Sequence, residues 1–257
     1  MTPILDRILT GKRARLERGD YARPAAAPAA LATDGARFLR SLREPGVRVI
    51  AEIKHRSPSA GEILQEADGK IERFALAYRR GHAAAISVVT EEDHFGGKPE
   101  WLSRAKRISG LPVLMKDFVI DRRQLDLAVS LGADAVLLIA RAVTREELAE
   151  LADGARERGL ATVVEIHEAG EIAAAMEARP DVLGVNARDL ATFATDLAAA
   201  QRIAASIPAG PLRLAESGIR NRADVAGLQA AGYEAFLVGE ALLRAEDPER
   251  ALRELKG

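Results

Sequence analysis

Eight short apolar runs, rich in β-branched residues, recur between residues 47 and 238, separated by longer amphipathic stretches: VRVIAEI, AAAISVV, LPVLM, ADAVLLI, ATVVEI, VLGVN, LRLAE and EAFLV. Each run is apolar almost throughout instead of alternating, as expected of strands covered by helices on one face and by a packed interior on the other. Parallel strands need crossovers, and the intervening segments carry helix punctuation. Thr144 and Glu147 form a capping-box pair, Asn221 can cap a helix that Gly232 ends, and Gly159 closes the helix before ATVVEI. Eight such units in roughly 210 residues fit a closed barrel, typically about 250 residues long. The alternative, a doubly wound open sheet, is weakened because no strand is followed by G-x-G-x-x-G or a P-loop. The expected fold class is therefore α/β, a (β/α)8 TIM barrel with an N-terminal helical extension. The extension carries Ile4, Leu5, Ile8, Leu9 and Leu16 at helical spacing, then an Ala/Pro-rich stretch at residues 22–31 and a short helical piece around Phe38 and Leu42. It is too small to stand alone, so residues 1–257 are read as one domain, with residues 1–46 the extension and 47–257 the barrel.

Composition excludes several functional classes. A chain of 257 residues with 48% hydrophobic content and a formal net charge of -1 has the makings of a sizeable core. No window approaches the roughly 18 uninterrupted apolar residues that a membrane span requires, and Asp6 and Arg7 interrupt the N-terminus, so a cytoplasmic location is expected. With 0 Cys and 4 His, and no HExxH-like spacing, no metal site is expected. The 37 basic and 38 acidic residues are interspersed, which argues against a nucleic-acid surface. An anionic ligand would have to be held locally.

Barrels of this kind place their chemistry where strands end and loops begin. The first run ends IAEIKHRSPS, and strand alternation puts Glu52 and Lys54 on one face, about 7 Å apart along the chain. The third ends with Lys116, followed by Asp117 and Phe118; the fifth carries Glu165. Asn186 and Arg188 follow the sixth, Glu216, Ser217 and Gly218 end the seventh, and Gly239 and Glu240 follow the eighth. Taken singly, each has an ordinary structural explanation: a rim charge, a turn residue, a helix cap. Together they describe a site. Glycines after the seventh and eighth strands are where such barrels bring backbone N–H groups against a phosphate. The Gly96–Gly97 pair, by contrast, reads only as a flexible loop.

The set IAEIKHRSPS, LPVLMKDF, GVNARDL, AESGI and LVGEAL, in this order and spacing, resembles the indole-3-glycerol phosphate synthase family of tryptophan biosynthesis across nearly the whole chain. The resemblance implies a carbon–carbon lyase that converts 1-(2-carboxyphenylamino)-1-deoxyribulose 5-phosphate, with loss of carbon dioxide and water, to indole-3-glycerol phosphate, using no metal or organic cofactor. It implies catalytic roles for Glu52, Lys54, Lys116, Glu165, Asn186 and Ser217, all of the expected residue type. Lys116 is expected to be the acid at the sugar ketone, held protonated by Glu52, and Glu165 with a lysine is expected to serve the dehydration. Lys54 would meet substrate anions, and Ser57, Gly218 and Gly239 the phosphate. Phe95, Phe118 and Leu137 would wall in the aryl ring; Arg188, Glu216 and Glu240 complete the expected substrate-binding set.

The chain departs from many members at Ala60, where a lysine is common, and at Lys98, where a serine is common. These departures bear on affinity and loop closure more than on the reaction. A neighbouring phosphate-binding barrel, phosphoribosylanthranilate isomerase, would need a cysteine and aspartates as acid and base, and there is no cysteine. A non-catalytic barrel that binds a pathway partner would not need Lys116 and Glu165. Association with other tryptophan-pathway enzymes stays open as an additional role, and the helix stripes specify no oligomeric state.

Overall fold

A computed structural model describes residues 4–21, 31–189 and 193–257. Among these, eight parallel strands close on themselves: β1 (Arg48–Ile53), β2 (Ala85–Val89), β3 (Val113–Lys116), β4 (Ala135–Ile139), β5 (Ala161–Ile166), β6 (Val182–Asn186), β7 (Leu212–Glu216) and β8 (Ala235–Val238). Closure is visible at Ile50, which pairs with Ala85 of β2 on one side and Leu237 of β8 on the other. The open-sheet alternative is thereby excluded. Because strand residues alternate, one set faces the helices (Val49, Ala51, Ile53, Val136, Leu138) and another fills the barrel interior (Ile50, Leu114, Leu137, Val163, Leu214).

The helical caps read from the sequence are present. The helix Arg145–Glu157 starts on a Thr144–Glu147 capping box and is followed by Gly159 in the left-handed region, and the helix Arg222–Ala230 starts on Asn221. Among the described residues no helix is long and apolar enough to cross a membrane.

Two helices precede the barrel and serve its two ends. α1 (Ile4–Arg18) lies against the loops leaving β2 and β3. Its Lys12 forms a buried ion pair with Asp117 at 2.5 Å, Arg15 pairs with Glu92 and Asp93, and the carbonyl of Leu16 accepts a hydrogen bond from Arg123. Burial opposes the charge on Lys12, but Asp117 and Tyr21 together outweigh it and raise the ammonium's pKa. α2 (Gly35–Arg43) plugs the opposite end, with Phe38 and Leu42 joining the interior cluster. Most of the Ala/Pro-rich segment between them lies outside the described residues.

The chain leading into α2 is tied down by a second buried pair, Lys106–Asp134 at 2.8 Å. Lys106 also donates to the carbonyls of Ala32 and Gly132, while Asp134 accepts from the backbone N–H groups of Asp34 and Val113. Removing one partner of such a pair leaves a buried charge uncompensated, at a cost of about 3–5 kcal/mol. Lys106→Met is expected to lose stability at the lower end of that range in urea unfolding. Its turnover per folded molecule should be close to wild type, because the pair sits at the end of the barrel away from the strand C-termini.

Candidate active site

The C-terminal ends of the strands surround a cavity of about 540 Å³. Fourteen of the fifteen residues singled out from the sequence line it: Glu52, Lys54, Phe95, Lys116, Phe118, Leu137, Glu165, Asn186, Arg188, Glu216, Ser217, Gly218, Gly239 and Glu240. The exception is Ser57. It lies in a short hairpin, Arg56–Ser57 with Gly61–Glu62, where its hydroxyl accepts the N–H of Ala60 at 3.1 Å and meets Ser59 at 3.2 Å. The hairpin touches the mouth through Ser59 instead, whose hydroxyl accepts from Arg188 at 3.1 Å.

Lys116 is the centre of charge. Its ammonium donates to Glu216 Oε2 at 2.7 Å and to Glu165 Oε2 at 3.1 Å. Glu52 helps to keep Lys116 protonated, as expected, but only through space: its Oε1 is engaged by Lys54 at 2.6 Å, and the carboxylates in contact with Lys116 are Glu216 and Glu165. The reason is geometric, because Lys54 projects from the same strand face as Glu52 and reaches it first. Burial works against the charge on Lys116, yet Glu216, Glu165 and then Glu52 reverse this and hold it protonated well beyond neutral pH.

The two carboxylates sharing Lys116 are driven apart. Burial pushes Glu216 above the ordinary carboxylate range despite the pull of Lys116, and the neighbouring Glu165 adds to the push. Burial pushes Glu165 the same way, but Lys116, His167 and Asn186 together more than reverse it and leave that carboxyl below its usual range. Asn186 lies beside Glu165 and favours its ionised form, and its own Oδ1 accepts the N–H of Arg188 at 3.0 Å. Paired titratable groups with opposed shifts are how one site holds an acid and a base at the same pH.

Two glycines make room for this cluster. A Cβ at Gly184 would stand 2.2 Å from Glu216 Oε1, and one at Gly239 would stand 2.4 Å from Glu52 Oε1. In both cases the obstructed atom is the end of a flexible side chain, so the barrel can survive the intrusion while the carboxylate must move. Gly184→Ala is accordingly expected to leave the melting temperature within a few degrees of wild type and to cut kcat between about tenfold and a hundredfold, as displacements near 1 Å do.

The apolar side of the cavity is built by Phe95 and Phe118, with ring centroids 6.1 Å apart, together with Leu137 and Ile139. Phe95 is placed by Glu91, a residue that the sequence pattern did not single out. The buried Glu91 carboxylate accepts from the backbone N–H groups of Asp93, His94 and Phe95 at 3.2, 2.8 and 2.9 Å. The following Gly96 and Gly97 are not the loose loop expected of them: their N–H groups bond to the carbonyls of Glu92 and Glu91, and a Cβ at Gly97 would meet the carbonyl of Val89 at 2.3 Å. Lys98 turns away to Asp68 at 3.4 Å, and Ala60 occupies the hairpin turn. Opposite the wall, Ser217 and Gly218 are both left-handed, with φ of 67° and 78°, and Glu240 directs its carboxylate to Arg244 at 3.0 Å. A non-glycine residue in that region costs on the order of 1 kcal/mol or more, and such strain gathers at functional turns.

The family model for indole-3-glycerol phosphate synthase matches residues 5–255. The chain belongs to that family. It is 43% identical to indole-3-glycerol phosphate synthase 2 of Streptomyces coelicolor over 96% of this chain and 94% of that one. It is 40% identical to the indole-3-glycerol phosphate synthase of Aromatoleum aromaticum over the full length of both. Solved structures share the fold: 3-hexulose-6-phosphate synthase from Salmonella typhimurium superposes with a TM-score of 0.65 at 16% identity, covering 82% of this chain and 97% of that one. Orotidine 5'-phosphate decarboxylase from Pyrococcus horikoshii gives 0.62 at 15% identity, covering 81% and 99%. Membership in the indole-3-glycerol phosphate synthase family makes this chain a carboxy-lyase acting on a phosphorylated small molecule, and the isomerase and partner-barrel alternatives are not favoured.

Proposed function

We propose that the barrel mouth closes the indole ring with Lys116 as the acid of the first step and Glu165 as the base of the last. Attack of the aryl carbon on the sugar ketone builds negative charge on the ketone oxygen. Lys116 supplies a proton there, becoming neutral as the hydroxyl forms. Loss of carbon dioxide then returns electrons to the cationic iminium, helped by keeping the carboxylate out of water. Glu165 takes the proton whose loss accompanies departure of the hydroxyl, a lysine protonates that hydroxyl, and water leaves.

The remaining groups bind. Lys54 meets the substrate's anions; Asn186 and Arg188 hydrogen-bond it; Phe95, Phe118 and Leu137 face the aryl ring. The left-handed Ser217–Gly218 turn and Gly239 take the phosphate, while the Glu240 carboxylate is neutralised by Arg244 at 3.0 Å and Arg188 at 3.9 Å. Glu216 keeps Lys116 in place. The same reading puts the enzyme in the cytoplasm as one unit, residues 1–46 extending the barrel of residues 47–257, with association to other tryptophan-pathway enzymes as an additional role. The observation that carries the assignment is the lysine held between two carboxylates of opposed acidity beside an apolar wall. It is tested by fluorescence detection of indole-3-glycerol phosphate made from the carboxyphenylamino substrate in chelator. Turnover by the wild type supports it, and binding without turnover overturns it.

A further inference from the structure

His167 follows β5 directly, two residues beyond Glu165. Its side chain is 4% exposed, and neither ring nitrogen has a hydrogen-bond partner. Buried nitrogens without partners are uncommon and costly. One of them is aimed: Nε2 stands 3.5 Å from Glu165 Oε1, the oxygen that Lys116 does not use. That gap exceeds a hydrogen bond by about 0.5 Å, the kind of looseness that closes when a substrate settles a catalytic group. The backbone around His167 is held, because its N–H donates to Glu171 Oε2 at 2.6 Å and Arg141 donates to Glu171 Oε1 at 2.7 Å.

We propose that His167 is a positioning residue for Glu165, donating its Nε2–H to Oε1 so that the carboxylate stays ionised and its orientation is fixed while Oε2 works against Lys116 and the substrate. The donor tautomer follows from electrostatics. An imidazole protonated only on Nδ1 would turn the Nε2 lone pair toward a carboxylate, which is repulsive. The groups that bear on the imidazole are Glu165 of β5, Glu171 in the turn after it, Arg141 from the turn after β4, and Lys116 of β3. Burial, joined by the two cations, outweighs the two carboxylates and keeps His167 below the ordinary histidine range, so it is neutral at pH 7 and above. A neutral donor stabilises the Glu165 anion without competing with Lys116 for it.

This inference rests on Glu165 being the base, and the test separates the two. The kcat–pH profile is measured for the wild type, His167→Leu, His167→Gln and Glu165→Gln. A base works only when ionised, so the acid limb tracks the Glu165 carboxyl, and removing a donor to that anion moves the limb to higher pH. His167→Leu should shift the limb up by about one pH unit and lower kcat at its optimum about tenfold or more, with KM within about twofold. His167→Gln, whose amide reaches the Nε2 position, should restore most of the lost kcat at pH 8, where His167 itself is a neutral donor, and move the limb back toward wild type. If His167→Leu fails to fold, His167→Asn stands in for it, since its amide is too short to reach Glu165. A limb left in the wild-type place by both Leu and Asn variants overturns the proposal, whatever happens to kcat. Wild-type activity in Glu165→Gln would instead overturn the assignment of the base.

Discussion

Lys116→Ala is expected to lose at least about a thousandfold in kcat, within the range that general acid catalysis and charge stabilisation span together. KM should change far less, because Lys54, Arg188 and the Ser217–Gly218 turn remain to bind the substrate's charged groups. The same substitution carries a pH signature in stability. Without the ammonium, Glu165 and Glu216 are buried beside each other with no cation in contact, and both carboxyls are pushed above the values they have in the unfolded chain. A carboxyl raised on folding costs nothing below its unfolded pKa, near 4.3, and costs progressively more as pH climbs toward the folded value. In the wild type the depressed Glu165 carboxyl contributes stability that is lost only as pH falls below the ordinary carboxylate range, so near pH 4.5 the variant's deficit should be smaller than at pH 8 without vanishing. At pH 8 it should fall behind by about 3 kcal/mol, the low end for a broken buried pair because the mouth is partly open to water. For a chain of this size that is roughly 10 °C in melting temperature, read by calorimetry at the two pH values. A deficit independent of pH would mean that lost packing, not uncompensated charge, is what the lysine supplies.

Glu165→Gln should rival it in activity but not in stability. The amide keeps the shape of the carboxylate and can still accept from Lys116, while Glu216 continues to hold that lysine at 2.7 Å. What disappears is the base, so kcat is expected to fall between about a hundredfold and ten-thousandfold, the usual yield of a placed acid or base. The acid limb of the pH profile, set by the ionisation of Glu165, should vanish with it. A small loss in kcat with the limb intact would move the base to another residue, Glu216 being the nearest.

Much of this was legible in the sequence because the physics that writes it is local and periodic. Eight apolar runs force buried strands, strand alternation puts Glu52 and Lys54 on one face, and the ends of the runs supply Lys116, Glu165, Asn186 and Glu216; barrel closure then turns these residues toward one mouth. Caps at Thr144 and Asn221 depend on residues three apart, so they could be read directly. What could not be read depends on distances between segments far apart in the chain. The pairing of Lys116 with Glu216 spans 100 residues, and only closure of the barrel makes Glu216 nearer to it than Glu52. Glu91 looked like one more acid in EEDHF until its carboxylate was seen collecting three backbone donors. Gly96 and Gly97 looked loose because a sequence does not show how little room there is for a side chain, beside His55 at Gly96 and beside the carbonyl of Val89 at Gly97. Ser57 had the right type at the right spacing, but its hydroxyl closes its own hairpin.

The division of labour between Lys116 and Glu165 is tested most directly in a single turnover, with enzyme in excess over the carboxyphenylamino substrate and carbon dioxide release followed alongside indole fluorescence. In the wild type the two signals should rise together. In Glu165→Gln, carbon dioxide should still be released at close to one equivalent per substrate while fluorescence lags by at least about a hundredfold, and in Lys116→Ala both should be slow. Equal slowing of the two signals in Glu165→Gln would contradict the assignment, because it would place Glu165 at or before ring closure.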